Sequence, residues 1–349
     1  MPKMTFSTLM ALAAALLFGA STPFAKQLLG GLSPFIMAGL LYLGSGLGVS
    51  LMRVVRDRGW QSPQMASGEW LWLMGAIGFG GVLGPALLMF GLAQTGAATA
   101  SLLLNLEAVL TAVLAWVVFK ENADRRIVAG MALIVAGGVV LSWSGGPDNG
   151  NSITGLLAIA GACLCWAIDN NLTRKVSAND AFFIAGSKGL VAGGVNLALG
   201  IAAGGHFATV SQTLMTMLLG FLGYGLSLVC FVVALRGLGS ARTGAYFSTA
   251  PFMGAAIAIV LFCEPMSTAF WLSSVLMAIG VWLHLTESHG HLHSHEHLLH
   301  RHSHRHDAHH THEHDFAWDG REPHVHPHRH LSLEHSHAHF PDVHHQHIH

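Results

Sequence analysis

Over its first 286 residues the chain alternates long apolar runs with short polar gaps. Ten runs stand out, at 6–27, 33–52, 70–92, 97–119, 126–143, 153–173, 181–203, 212–235, 242–262 and 268–286. Each is near the length of about 20 residues that a helix needs to cross about 30 Å of hydrocarbon. The pattern therefore predicts ten membrane-spanning helices. The runs are rich in Gly and Ala, which lets helix backbones approach closely where no hydrophobic effect drives them together. Trp60, Trp70, Trp72, Trp143 and Trp271 fall near predicted ends, as an aromatic belt would. Lys3, the apolar stretch after it and Gly19-Ala20-Ser21 imitate a signal peptide. The counterpart of this run in the second half is internal, so it is read as a span.

The pattern is written twice. Moving residues 80–137 forward by 143 positions (223 − 80) places them on 223–280 without a gap. Gly80/Gly223, Leu92/Leu235, Gly96/Gly239, Ala98/Ala241, Ala115/Ala258, Val117/Val260, Phe119/Phe262, Glu121/Glu264, Leu133/Leu276 and Gly137/Gly280 coincide. A looser match at offset 148 brings Phe18 onto Trp166, Lys26 onto Arg174, Phe35 onto Phe183 and Ile36 onto Ile184. The chain thus divides into repeats 1–150 and 151–286, followed by a polar tail, 287–349.

Charge gives an orientation. Lys3 precedes run one, and Arg53, Arg56 and Arg58 follow run two. Lys120, Arg125 and Arg126 follow run four, and Arg174 and Lys175 follow run six. Arg236 and Arg242 flank the gap after run eight. The other gaps hold no Lys or Arg apart from Lys26, near the end of run one. Positive residues stay on the cytoplasmic side, which puts both termini there. Five spans per half is an odd number, so the halves cross in opposite senses. The expected fold is an all-α membrane protein of two inverted five-helix repeats. Inverted repeats belong to alternating-access transporters, whose site lies at the midplane between the halves.

Composition agrees: 52% of residues are hydrophobic and 10% charged, against about a quarter charged in ordinary globular chains. The stretch Ala97–Glu121, AATASLLLNLEAVLTAVLAWVVFKE, its echo Ser240–Glu264, and the runs Phe18–Lys26 and Trp166–Lys175 resemble the drug/metabolite transporter superfamily, EamA type. The resemblance covers residues 1–286. It implies a bacterial inner-membrane exporter of small metabolites or drugs, driven by a gradient. The chain has no G-x-x-x-x-G-K-[ST] for a nucleotide, and no H-E-x-x-H or G-x-S-x-G for an intramembrane enzyme. No cofactor is expected for transport. The expected partners are the lipid bilayer and a small-molecule or metal-ion substrate, with no nucleic acid; a homodimer is compatible with the sequence.

A charge at mid-span costs about 2.5–3.5 kcal/mol on insertion scales, so each one needs a reason. Glu107 lies in Asn105-Leu106-Glu107 of run four, Asp169 in Asp169-Asn170-Asn171 of run six, and Lys188 in run seven. These residues are expected to line the central pathway. A carboxylate kept from bulk water can load and release a proton near neutral pH, which makes Glu107 the candidate coupling group. Asp169 and Lys188 would pair, and either gate or orient a polar substrate or serve as a structural ion pair. Cys165 and Asp169, four apart, share a helix face and could touch a metal, although a buried Cys also packs as a small hydrophobe. Pro23, Gly84-Pro85 and Pro251 interrupt spans, and such breaks either flank a transporter's cavity or are tolerated kinks.

The tail changes character. Residues 287–349 carry 24 of the 26 histidines, four Arg and nine Asp or Glu, with too little apolar content for a core, so disorder is expected. The spacing is mostly H-x-H: His289, His291, His293, His295 and His297, then His300, His302, His304 and His306, followed by His309, His310, His312 and His314, and a second cluster of His324, His326, His328 and His330. In an extended chain alternate residues point the same way, so neighbouring imidazoles can converge on one divalent ion. Zn, Ni, Co and Cu suit such ligands. The metal could be cargo, a regulator or a buffered store, the last two including a membrane-anchored sensor whose body no longer transports.

Overall fold

The computed structural model describes residues 6–60, 62–63, 65–119, 125–143, 152–176, 179–206 and 209–285, and four short pieces of the tail. The described body is built of helices joined by short loops. In chain order the helices are α1 (Phe6–Leu29), α2 (Pro34–Arg56), α3 (Glu69–Ala76), α4 (Gly84–Ala93), α5 (Ala97–Leu103), α6 (Leu106–Phe119), α7 (Arg125–Trp143), α8 (Ile153–Arg174), α9 (Ala181–Ala202), α10 (Val210–Gly220), α11 (Ser227–Phe247), α12 (Ala250–Phe262) and α13 (Thr268–Leu285). A π turn, Ile77–Leu83, joins α3 to α4, and a second, Phe221–Leu226, joins α10 to α11. Eight helical stretches are long and apolar enough to cross a membrane, and two shorter apolar helices, Ala250–Phe262 and Thr268–Leu283, follow.

Local signals set several helix starts. Pro34 opens α2, where its fixed φ suits the first turn and its missing N–H is not needed. Asp180 accepts from the Phe182 N–H at 3.1 Å to start α9. Thr209 and Gln212 form a capping box on α10.

The packing is that of a bundle immersed in an apolar medium. Large side chains such as Leu71, Val210 and Val260 face outward, while the interior is filled by Met37, Leu41, Leu88, Met89, Leu92, Ile134, Ile159 and Met277. The two halves meet most extensively at α2 on α9, α7 on α13 and α1 on α11, and also where α8 packs on α4 and α6, α10 on α2, and α12 on α1 and α5. The α2–α9 seam is made by glycine. A Cβ added at Gly46 would strike the α9 backbone at Gly189 and Leu190, and one at Gly189 would strike Gly46.

Short contacts show which helix ends lie together. Lys26 near the end of α1 donates to the Leu92 carbonyl in α4. Ser152, just before α8, donates its N–H to the Gln94 carbonyl at 3.0 Å, and Thr154 Oγ1 reaches Gln94 Oε1 at 2.7 Å. At the opposite end, Arg53 and Arg56 of α2 both bond to Asp180 at 2.8 Å. α1 therefore ends where α8 begins.

Three differences from the expected pattern stand out. Run four is not one helix: the chain turns at Leu104 and Asn105 between α5 and α6. Helical winding continues through 236–241, where a gap between runs eight and nine is expected, so α11 runs to Phe247 and the break comes at Ser248 and Thr249. The stretch Gly237-Leu238-Gly239-Ser240-Ala241 contains no proline to stop a helix. Pro23 does not break α1; it is buried inside the continuous helix. In the tail, β1 (Gly290–Ser294) pairs antiparallel with β4 (Glu334–Ala338), and β2 (Leu299–His304) with β3 (His324–Arg329). The two-residue alternation of H-x-H is also the period of a strand. His289, His295, His297, His306, His309, His310, His312, His314 and His330 lie outside the described residues.

The glycine seam is testable. Gly46→Ala should lower the stability of the detergent-solubilised protein by about 1–3 kcal/mol, the usual cost of overpacking. Gly194→Ala, where an added Cβ meets nothing within 4 Å, should not. Thermal unfolding of both variants checks this.

Candidate functional site

The site is built on the first π turn. Pro85, just past the turn, has no N–H to give the Gly80 or Gly81 carbonyl, and a carbonyl in an apolar medium must find a donor. The Gly80 carbonyl accepts from Tyr42 Oη at 2.9 Å and from Trp166 Nε1 at 3.0 Å. The Gly81 carbonyl accepts from Asn196 Nδ2 at 3.1 Å. Three helices, α2, α8 and α9, thus hold the turn from three sides.

Gly80 also makes room for charge. A Cβ there would fall on the Asp169 carboxylate. Asp169, on α8, accepts from Lys188 Nζ of α9 and from Thr173 Oγ1, the latter at 2.9 Å. The pair is largely withdrawn from solvent, with side-chain exposures of 7% for Asp169 and 18% for Lys188.

Glu107 opens α6 just past the turn at Leu104 and Asn105. Its Oε1 accepts from Asn170 Nδ2 at 2.8 Å, and the same amide lies 3.4 Å from Thr111 Oγ1. Asp169 and Lys188 are both within electrostatic reach of Glu107. Asn105 does not join them. Its amide donates to the Leu102 carbonyl at 2.9 Å and points toward Met277 Sδ at 3.9 Å, so it stabilises the helix break. The structure therefore brings Glu107, Asn170, Asp169 and Lys188 together and sets Asn105 apart.

Sequence reasoning missed the aromatic wall. Tyr42 lies 5.5 Å from Tyr224, centroid to centroid, and Tyr224 meets Phe18 edge-on at 5.9 Å. Tyr42 is within electrostatic reach of Asp169 and Glu107. The π turns were missed too, although the glycines at 78, 80, 81 and 84, and at 223 and 225, mark them.

The two halves share the scaffold but not the chemistry. Gly223 is the repeat partner of Gly80, and a Cβ there would meet Ser21. Ser21 stands at offset 148 from Asp169 (169 − 148 = 21), and Leu40 at the same offset from Lys188 (188 − 148 = 40). The ion pair thus has a hydroxyl and an apolar side chain as its counterparts.

Cys165 and Asp169 gather no third ligand: no group of three or more His, Cys, Asp or Glu could hold a metal among the described residues. Cys163 is buried with its Sγ 3.6 Å from the Leu103 carbonyl. At the far end, burial works against the Asp180 carboxylate, but Arg56 and Arg53 hold it below the usual carboxylate range.

The EamA-like transporter family matches residues 5–143 and again 153–286. An uncharacterized transporter of Methanothermobacter thermautotrophicus is 26% identical over 285 residues, covering 77% of this chain and 83% of that protein. A probable 4-amino-4-deoxy-L-arabinose-phosphoundecaprenol flippase subunit ArnE of Pseudomonas paraeruginosa is 37% identical over 110 residues, 32% of this chain and 91% of its own. A crystal structure at 20% identity superposes with a TM-score of 0.59 over 80% of this chain and 96% of that one, a likeness of fold.

The ion pair makes a prediction of its own. Lys188→Met strands Asp169 without its counter-charge and should cost about 3 kcal/mol, as breaking buried pairs does. Adding Asp169→Asn should restore most of the loss. A double-mutant cycle read by thermal unfolding checks this, and additive losses would show that the two residues do not interact.

Proposed function

The chain belongs to the EamA-like transporter family, and we propose that it is a secondary transporter of small polar organic molecules, carrying them out across a bacterial inner membrane. The observation that carries this reading is the convergence of Glu107, Asn170, Asp169 and Lys188 on a π turn between the halves. Charged groups are costly in a bilayer, and a transport pathway gives them a use. We take the body to cross ten times, which requires the chain to reverse near 236–241 within the winding of α11; residues 240–262 and 268–285 are then the ninth and tenth crossings. The break at Ser248–Thr249 falls within one residue of where the repeat would put the break at Leu104–Asn105, which supports counting 240–262 as one crossing. The Lys and Arg pattern favours cytoplasmic termini.

In this scheme Glu107 is the proton-coupling carboxylate, and Asn170 steadies it. Lys188 and Asp169 exchange their mutual bond for bonds to the cargo. A cargo with an amine and an anionic group would satisfy both. The ArnE relatives, named for an amino-sugar joined to phosphoundecaprenol, support cargo of that kind. Tyr42, Tyr224 and Trp166 would supply the aromatic wall of the passage.

A second reading rests on the tail. The 24 histidines after 286 would bind Zn, Ni, Co or Cu, and could deliver one of these ions as cargo or adjust transport to its supply.

Two experiments test these readings. Wild-type proteoliposomes should accumulate some members of a panel of amine-bearing metabolites under an imposed proton gradient. Glu107→Gln should insert normally and lose that accumulation; unchanged accumulation would remove Glu107 from the coupling role. Purified full-length protein should hold several divalent ions after dialysis, and a form ending at Glu287 should hold almost none. Equal metal content in the two forms would refute the tail site.

A further inference from the structure

α5 begins without a side-chain cap of its own, because Gly96 precedes it. Its first two N–H groups are satisfied from the other half of the chain. Ala97 donates to Glu264 Oε1 at 2.8 Å and Ala98 to Glu264 Oε2 at 2.9 Å, contacts between residues 167 and 166 positions apart. Glu264 lies in the loop between α12 and α13. Cys263, just before it, adopts a left-handed conformation with φ 51°, where the chain leaves α12. Lys26 of α1 is within electrostatic reach of Glu264 and donates to the Leu92 carbonyl in α4. Two opposite charges therefore staple α1, α4, α5 and α12 together at one end of the bundle.

The other end is not closed in the same way. α5 packs closely on α12, and α2 on α10. The repeat-related counterpart of the second pair, α9 with α3, touches only slightly. The counterpart of the first, α6 with the last part of α11, makes no comparable contact among the described residues.

We propose that Glu264 is the latch of the passage. Its carboxylate, bridging to the start of α5 and facing Lys26, keeps the Glu264 end shut while the passage communicates with the Arg53 end. Release toward the Glu264 side requires the two hydrogen bonds to break so that α5 and α12 can part. This rests on the reading that a passage runs past Glu107.

Labelling tests it without a known cargo. In a protein freed of Cys163, Cys165, Cys230 and Cys263, Thr111→Cys places one thiol on the helix that carries Glu107, beside Asn170. A membrane-impermeant maleimide is applied to right-side-out and to inside-out vesicles. With Glu264 intact, the thiol should react from the Arg53 side and hardly at all from the Glu264 side. Glu264→Ala should raise labelling from the Glu264 side by at least about tenfold, the shift that about 1.4 kcal/mol brings. The milder Glu264→Gln, which keeps one acceptor oxygen and the helix packing, should raise it less. If labelling from the Glu264 side stays unchanged in both variants while the Arg53 side still reacts, there is no latch and the passage stands. If neither side reacts in any form, the passage is absent and the latch falls with it.

Discussion

A backbone carbonyl in hydrocarbon must have a donor, and the centre of this protein is arranged around that demand. Two π turns lie at repeat-related places. In the first, Pro85 offers no N–H, and Tyr42, Trp166 and Asn196 donate to the Gly80 and Gly81 carbonyls. Those side chains come from helices of both halves, so satisfying one turn also fixes how α2, α8 and α9 sit around it. The bare Gly80 backbone then leaves a space that the Asp169 carboxylate fills. Backbone satisfaction, helix packing and the position of the buried ion pair are consequences of the same turn.

The duplication explains the scaffold, and its imperfections explain the chemistry. Both halves keep a glycine-rich π turn in the third span of the repeat and a helix break in the fourth. Only one half places a carboxylate and an ammonium beside its turn. Ser21 and Leu40 stand where symmetry would repeat Asp169 and Lys188. A symmetric frame suits movement of one half against the other, and the asymmetric charges give a cargo one place to be held. Glu264 shows the same division, since it joins the loop after α12 to the start of α5 across the interface.

Hydropathy and register made much of this legible before any coordinates. Apart from runs four, eight and nine, the apolar runs fall on helical stretches to within a few residues, from 6–27 against Phe6–Leu29 to 153–173 against Ile153–Arg174. The residue types of Asp169 and Lys188 marked them as needing partners, and they are each other's partners. What stayed hidden depends on hydrogen-bond register, which composition does not carry. A π turn differs from an α turn by one residue of bonding, and the hydropathy of Ile77–Leu83 does not change with it. Asn105 looked like a pathway residue because it is polar and mid-span, but its amide is used within its own turn. Pro23 could mark either a break or a tolerated kink, and α1 continues through it.

The central claim is that corresponding positions of the two halves face opposite sides of the membrane. Single cysteines at Trp60, in the loop after α2, and at His206, in the loop after α9, test it in a background lacking the four native cysteines. An impermeant maleimide on intact cells should label His206→Cys and leave Trp60→Cys untouched until the membrane is opened. Labelling of both from the same side would contradict the inverted arrangement.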